Sequence, residues 1–87
     1  MTMYDGVAIQ NMLGTWYAAI FPNTMASFLI RLDELQGYRI IDAKFMDKIL
    51  VVIGEKNGKY DRFILAADSM FSKFSLFNKE ANIATKV

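Results

Sequence analysis

Apolar residues alternate with charged ones in "YRIIDAKF" (38–45), where Ile41, Ala43 and Phe45 share a face and Asp42 and Lys44 look outward. That period of two predicts a half-buried strand. The next stretch, "KILVVIGEKNGKYDRFILAAD", breaks the alternation because both faces are apolar. Ile49, Val51 and Ile53 point one way, Leu50 and Val52 the other; Phe63 and Leu65 oppose Ile64 and Ala66. Asn57-Gly58 between two β-rich runs is the strongest short-range hairpin signal, since a type I′ turn needs positive φ at both central residues. With a further turn at Met46-Asp47-Lys48, the pattern predicts a three-strand meander over 38–45, 48–55 and 59–66. Strands apolar on both faces are normally sandwiched between layers, so something must cover the second face.

The N-terminal half resembles a weaker copy of this pattern. "VAIQNMLGTWYAAIF" can be laid on "IIDAKFMDKILVVIG", with Leu13-Gly14 turning where Asp47-Lys48 turns. "FLIRLD" lies over "FILAAD" at an offset of 35 residues, and Val7 over Ile41 at 34. Repeats over 7–40 and 41–80 within one small domain or fragment, 1–87, are the expected organisation. Repeats of this length usually mean modules too small to bury their own faces.

A rival α+β reading keeps a three-stranded antiparallel sheet and winds helices near 23–36 and 69–82. Met25, Phe28, Leu29, Leu32 and Leu35 have near-helical spacing, with Asn23 or Thr24 as N-cap and Gly37 as the stop. "DSMFSKFSLFNKEAN" winds similarly from Asp68 or Ser69, with Met70, Phe74, Phe77 and Ala81 on one stripe. Its Phe-Ser run has strand-like composition, which with the repeat favours an all-β fold.

Four short strands repeated at this length, apolar on both faces, resemble a β-propeller blade. "YRIIDAKF", "KILVVIGE", "KYDRFILAAD" and "KFSLF" would be one blade; "VAIQ", "TWYAAIF", "SFLIRLD" and part of "GYRI" the one before, and "ANIATKV" could begin a third. The resemblance implies that a neighbouring blade covers the second face. It is a likeness to blades in general, because the Gly-His and Trp-Asp dipeptides of WD-type propellers are missing. Two blades cannot close a ring, so a longer propeller or an oligomer is implied.

Composition sharpens this. The 87 residues are 54% hydrophobic and 14% aromatic, with mean hydropathy +0.21. A chain this short buries only roughly 60–65% of its unfolded surface. Excess apolar surface predicts a protein partner or self-association. Net charge is +1 with signs interspersed, so neither a nucleic-acid footprint nor a membrane partner is expected. Lys56, Lys59 and Arg62 could touch phosphate, against the simpler reading of a solvated hairpin tip. With no Cys and no His, disulfides, thiolate metal sites and the commonest general base are absent. No secretory leader or run of ~20 apolar residues is present, so a soluble, cytoplasmic location is the default.

Chemistry-bearing motifs are weak. "GEKNGKY" echoes a phosphate-binding loop but is one residue short, lies between strands, and has Tyr60 where a hydroxyl for Mg²⁺ belongs. Asp33, Glu34, Asp42, Asp47, Asp61 and Asp68 sit near strand ends, where carboxylates bond nearby backbone N–H groups. No catalytic, cofactor or metal site is predicted, and an enzyme is not expected. The expected role is a non-catalytic interaction or structural module that associates through apolar β faces and edge strands. Its candidate contact residues are Trp16, Tyr17, Phe71, Phe74 and Phe77. The alternative is a small-molecule or glycan-binding module with Trp16 and Tyr17 as a stacking platform.

Overall fold

The strands expected around Asn57-Gly58 form within a residue or so of the limits read from sequence. In the computed structural model, which describes residues 1–20 and 29–84, they are β5 (Arg39–Met46), β6 (Ile49–Lys56) and β7 (Lys59–Ala67). With β8 (Phe74–Glu80) they make an antiparallel sheet in the order β5-β6-β7-β8. A second sheet holds β1 (Thr2–Tyr4), β2 (Val7–Met12), β3 (Thr15–Ile20) and β4 (Ile30–Arg31), again antiparallel and in chain order. Among the described residues the only helical piece is a 3₁₀ turn, Asp33–Leu35. The protein is all-β.

The turns explain the meanders. Met12 opposes Thr15, Met46 opposes Ile49, and Lys56 opposes Lys59, so each connection has two residues. Both residues of each have positive φ: Leu13 and Gly14, Asp47 and Lys48, Asn57 and Gly58. That is the type I′ geometry, whose twist matches the strands it joins.

One rival reading and one expectation are corrected. The segment 69–82 is not a helix: Phe74–Glu80 pairs with β7 as a strand. Asp68 does cap a segment, but one too tight to be helical. Its Oδ1 accepts from the Ser72 backbone N–H at 2.6 Å, and Phe71 takes φ 54, outside helical space. Of the helix expected over 23–36, residues 23–28 lie outside the described residues, while Ile30–Arg31 is strand. The second correction concerns the first sheet. "GYRI" is not its fourth strand, since Arg39 already opens β5; Thr2–Tyr4 fills that place through a tight turn at Asp5-Gly6. The stretches aligned about 34 residues apart therefore differ in rank. Val7 opens the second strand of its sheet, whereas Ile41 lies in the first strand of the other.

One core joins the sheets. Val7, Ile9, Ala18, Ile20 and Ile30 from the first meet Ala43, Leu50, Val52, Phe63, Leu65 and Phe74 from the second, closed by Leu32 and Leu35. A hydrogen-bonded seam runs beside it: Phe45 donates its backbone N–H to the Asp5 carbonyl at 2.8 Å. Gly6 sits on that seam with φ +80, and a Cβ there would lie 2.4 Å from the Phe45 carbonyl oxygen. Only glycine satisfies both conditions.

Gly6→Ala is expected to lower unfolding free energy by roughly 2–4 kcal/mol, from left-handed strain plus overpacking. Leu13, fully exposed with φ 51, gives the opposite test. Leu13→Asn is expected to raise stability by about 1 kcal/mol, because Asn tolerates the left-handed region. Urea denaturation reads both, and an unchanged midpoint for Gly6→Ala would show that the seam contributes little.

Candidate interaction surface

Trp16 and Tyr17 are neighbours in β3, so their side chains leave opposite faces of the first sheet. Trp16 packs against the core and donates its indole N–H to the Tyr38 carbonyl at 2.9 Å. Tyr17 lies on the other face, opposite Gln10 and Arg31. The two rings do not share a platform.

The three phenylalanines separate as well. Phe74 is 6% exposed and meets Phe45 edge-on, with ring centroids 6.0 Å apart. Phe71 is half-buried against the same ring at 6.3 Å. Phe77 is 76% exposed at the register shift in β8, and Leu76 beside it is 45% exposed. β8 ends its sheet, so its outer backbone edge has no strand partner among the described residues. Lys73, Lys79 and the bulge at Phe77 are the devices that blunt such an edge.

Beyond Ile53, which is fully buried on it, the second face of the β6–β7 hairpin has no second layer among the described residues. Met46–Ile49–Ala66 and Val51–Ile64 stand side by side across β5, β6 and β7. None belongs to the core cluster or to the residues packed against it. Ile49, Val51, Ile64 and Ala66 are half-buried, and Met46 is 59% exposed. Charges fringe this stripe in pairs: Arg39 with Glu55 at 3.2 Å, Arg62 with Glu80 at 2.9 Å, and Lys44 beside Asp42. Three cations and three carboxylates leave the face without net charge.

At the turn end of the hairpin lies a feature that the sequence reading did not assemble. Tyr38 lies over Gly54, where an added Cβ would approach its ring carbons to 2.9 Å, and edge-on to Phe63 with centroids 4.9 Å apart. Its hydroxyl donates to Asp61 Oδ2 at 2.6 Å, while Asp61 Oδ1 accepts from the Asn82 backbone N–H at 3.1 Å. The Lys56 and Lys79 ammoniums stand 5.3 and 5.7 Å from the Tyr38 ring centroid. An open cleft of about 300 Å³ is lined by Tyr38, Lys56, Asn57, Lys59, Asp61, Ala81 and Asn82. The Tyr38 hydrogen bond holds the Asp61 carboxyl below its ordinary pKa, and the same bond, with desolvation, raises the Tyr38 phenol. Lys56 and Lys59 were legible as turn flanks; the contact of Tyr38 with Gly54 and Asp61 spans too much sequence for local pattern to show.

Among the described residues there is no cluster of three potential metal ligands, and no helix long and apolar enough to cross a membrane. No protein-family profile, curated protein or solved structure matches the chain.

Because Asp61's carboxyl titrates lower folded than unfolded, its contribution is complete above the ordinary carboxylate range and lost as pH falls through its folded pKa. Asp61→Asn is expected to be less stable near neutrality and to lose less on acidification. The two curves should converge in acid. Glu55 and Asp68 are also lowered, by backbone and side-chain hydrogen bonds to Gly58 and Ser72 respectively, and give both proteins a shared acid slope. Parallel urea-midpoint curves for the two proteins would remove Asp61 from the acid response.

Proposed function

We propose that the chain is a non-catalytic interaction module that associates through the uncovered face of its β5–β8 sheet and the β8 edge. The observation that carries this is the Met46–Ile49–Ala66 and Val51–Ile64 stripe, apolar yet outside the core. Covering it with another apolar surface removes it from water at about 25 cal/mol per Å², without disturbing the existing core. The face is electrically balanced, so a second copy can lie on it without net repulsion, and a two-fold interface places the same patch on both sides. A second copy is accordingly the occupant favoured here. Exposed Phe77 and Leu76 extend the contact at the edge, where an added strand would pair with β8.

Substitutions must separate assembly from folding. Phe74→Asp would bury a charge against Phe45, so it reports on the core. Phe77→Asp falls on an exposed side chain, where the folding cost is within about 0.5 kcal/mol. By light scattering the parent chain is expected at a multiple of 9.9 kDa. Ile64→Lys and Phe77→Asp are expected to move it toward the monomer mass with an unchanged β-type far-UV spectrum. A parent chain that stays monomeric at about 0.1 mM, or variants that assemble as it does, would rule out self-association through these surfaces.

A further inference from the structure

Lys56 and Lys59 stand directly opposite each other across the β6–β7 turn. Like charges in that position oppose folding, and nothing in the turn requires them. Asn57-Gly58 already supplies the I′ geometry. Counting along the strands, both belong to the face that carries Val52, Gly54, Asp61 and Phe63. Lys79, which opposes Phe63 on β8, adds a third ammonium to the same end of that face.

The single carboxylate among them does not neutralise this group. Asp61 accepts from the Tyr38 hydroxyl and the Asn82 N–H, and of the three lysines only Lys79 is within ion-pair distance, at 3.9 Å. Neither Lys56 nor Lys59 has a carboxylate within that distance among the described residues. Glu55, the nearest acid in sequence, is held by Arg39 and by the Gly58 N–H at 2.8 Å. The result is an open cleft of about 300 Å³ lined by Lys56, Lys59, Asn57, Asn82 and Tyr38, together with the Asp61 carboxylate already held by Tyr38 and Asn82. That volume is at the lower end of small-molecule sites.

We infer that this cleft binds an oxyanion, a phosphate or carboxylate group, between Lys56 and Lys59, with the side-chain amides of Asn57 and Asn82 as flanking donors. The bound anion relieves the repulsion that the cross-strand lysine pair otherwise costs the fold. The ring of Tyr38 is not itself a stacking surface, because Lys56 and Lys79 approach it and Phe63 and Gly54 enclose it. Recognition is therefore by charge and hydrogen bonding.

The test is a two-dimensional amide NMR titration of the full chain with pyrophosphate and, separately, with succinate, against sodium chloride at matched ionic strength. Saturable shifts confined to the amides of Asn57, Gly58, Lys59 and Asn82 are expected, with the single tryptophan's indole N–H, bonded to the Tyr38 carbonyl, as a second reporter. Pyrophosphate alone would identify a phosphate group as the ligand chemistry, succinate alone a carboxylate, and both a general oxyanion site. Lys56→Gln and Lys59→Gln are each expected to weaken binding about tenfold or more while leaving the melting temperature equal or higher. A purely structural role for these lysines would lower it. Shifts that chloride reproduces, shifts that survive both substitutions, or no saturable shift with either anion would overturn the proposal.

Discussion

Along β6 and β7 the alternation of side chains sends Leu50, Val52, Phe63 and Leu65 to one face and Ile49, Val51, Ile64 and Ala66 to the other. Among the described residues only the first set meets a second layer, although Ile53, on the same face as the second set, is fully buried. Every other property follows from that division, since side chains in an extended strand cannot choose their face. A one-residue slip would exchange the two sets and place Arg62 and Glu55 in the core, which is why the register is fixed. The I′ turns hold it from both ends: Asp47-Lys48 before β6 and Asn57-Gly58 after it.

The local part of this arrangement was readable from sequence. Asn57-Gly58 marks its turn because the chemistry of positive φ is local, Leu13-Gly14 and Asp47-Lys48 are placed by the likeness of the two halves, and strands 39–46, 49–56 and 59–67 fall between the turns. Asp5-Gly6 carries the same kind of signal, yet β1 is so short that no periodicity accompanies it. What could not be read is the docking of the sheets. The bond from Phe45 to Asp5, the clearance that Gly6 provides and the contact of Trp16 with Tyr38 join residues far apart in sequence. The same limit separated the candidate contact residues. Alternation alone places Trp16 and Tyr17 on opposite faces, but only the packing shows that Phe74 is core while Phe77 is not.

The β8 segment shows how a balanced local pattern is decided. Its aromatic residues fit a helical stripe or a strand about equally well. Two events remove the helix: Asp68 uses its carboxylate to close a tight loop onto Ser72 and Lys73, and Phe71 takes a left-handed conformation. The chain then reaches β7 already extended, and Phe74 finds Phe45. Long-range pairing with an existing strand satisfies more backbone groups than an isolated turn of helix.

Where a local rule is broken without gain to the fold, function is the usual reason. Leu13 is apolar, fully exposed and left-handed at once. Lys56 opposes Lys59 where a pair of opposite sign would have strengthened the hairpin. These departures fall at strand ends, away from the core that pays no penalty for them. The two surfaces of the second sheet also differ in kind: the uncovered face of β5–β8 is apolar and balanced in charge, while the cleft beside Tyr38 is cationic and polar. Since alternate residues of β7 serve them, Lys59 and Asp61 on one side and Arg62 and Ile64 on the other, a single strand supplies both without either set of side chains intruding on the other.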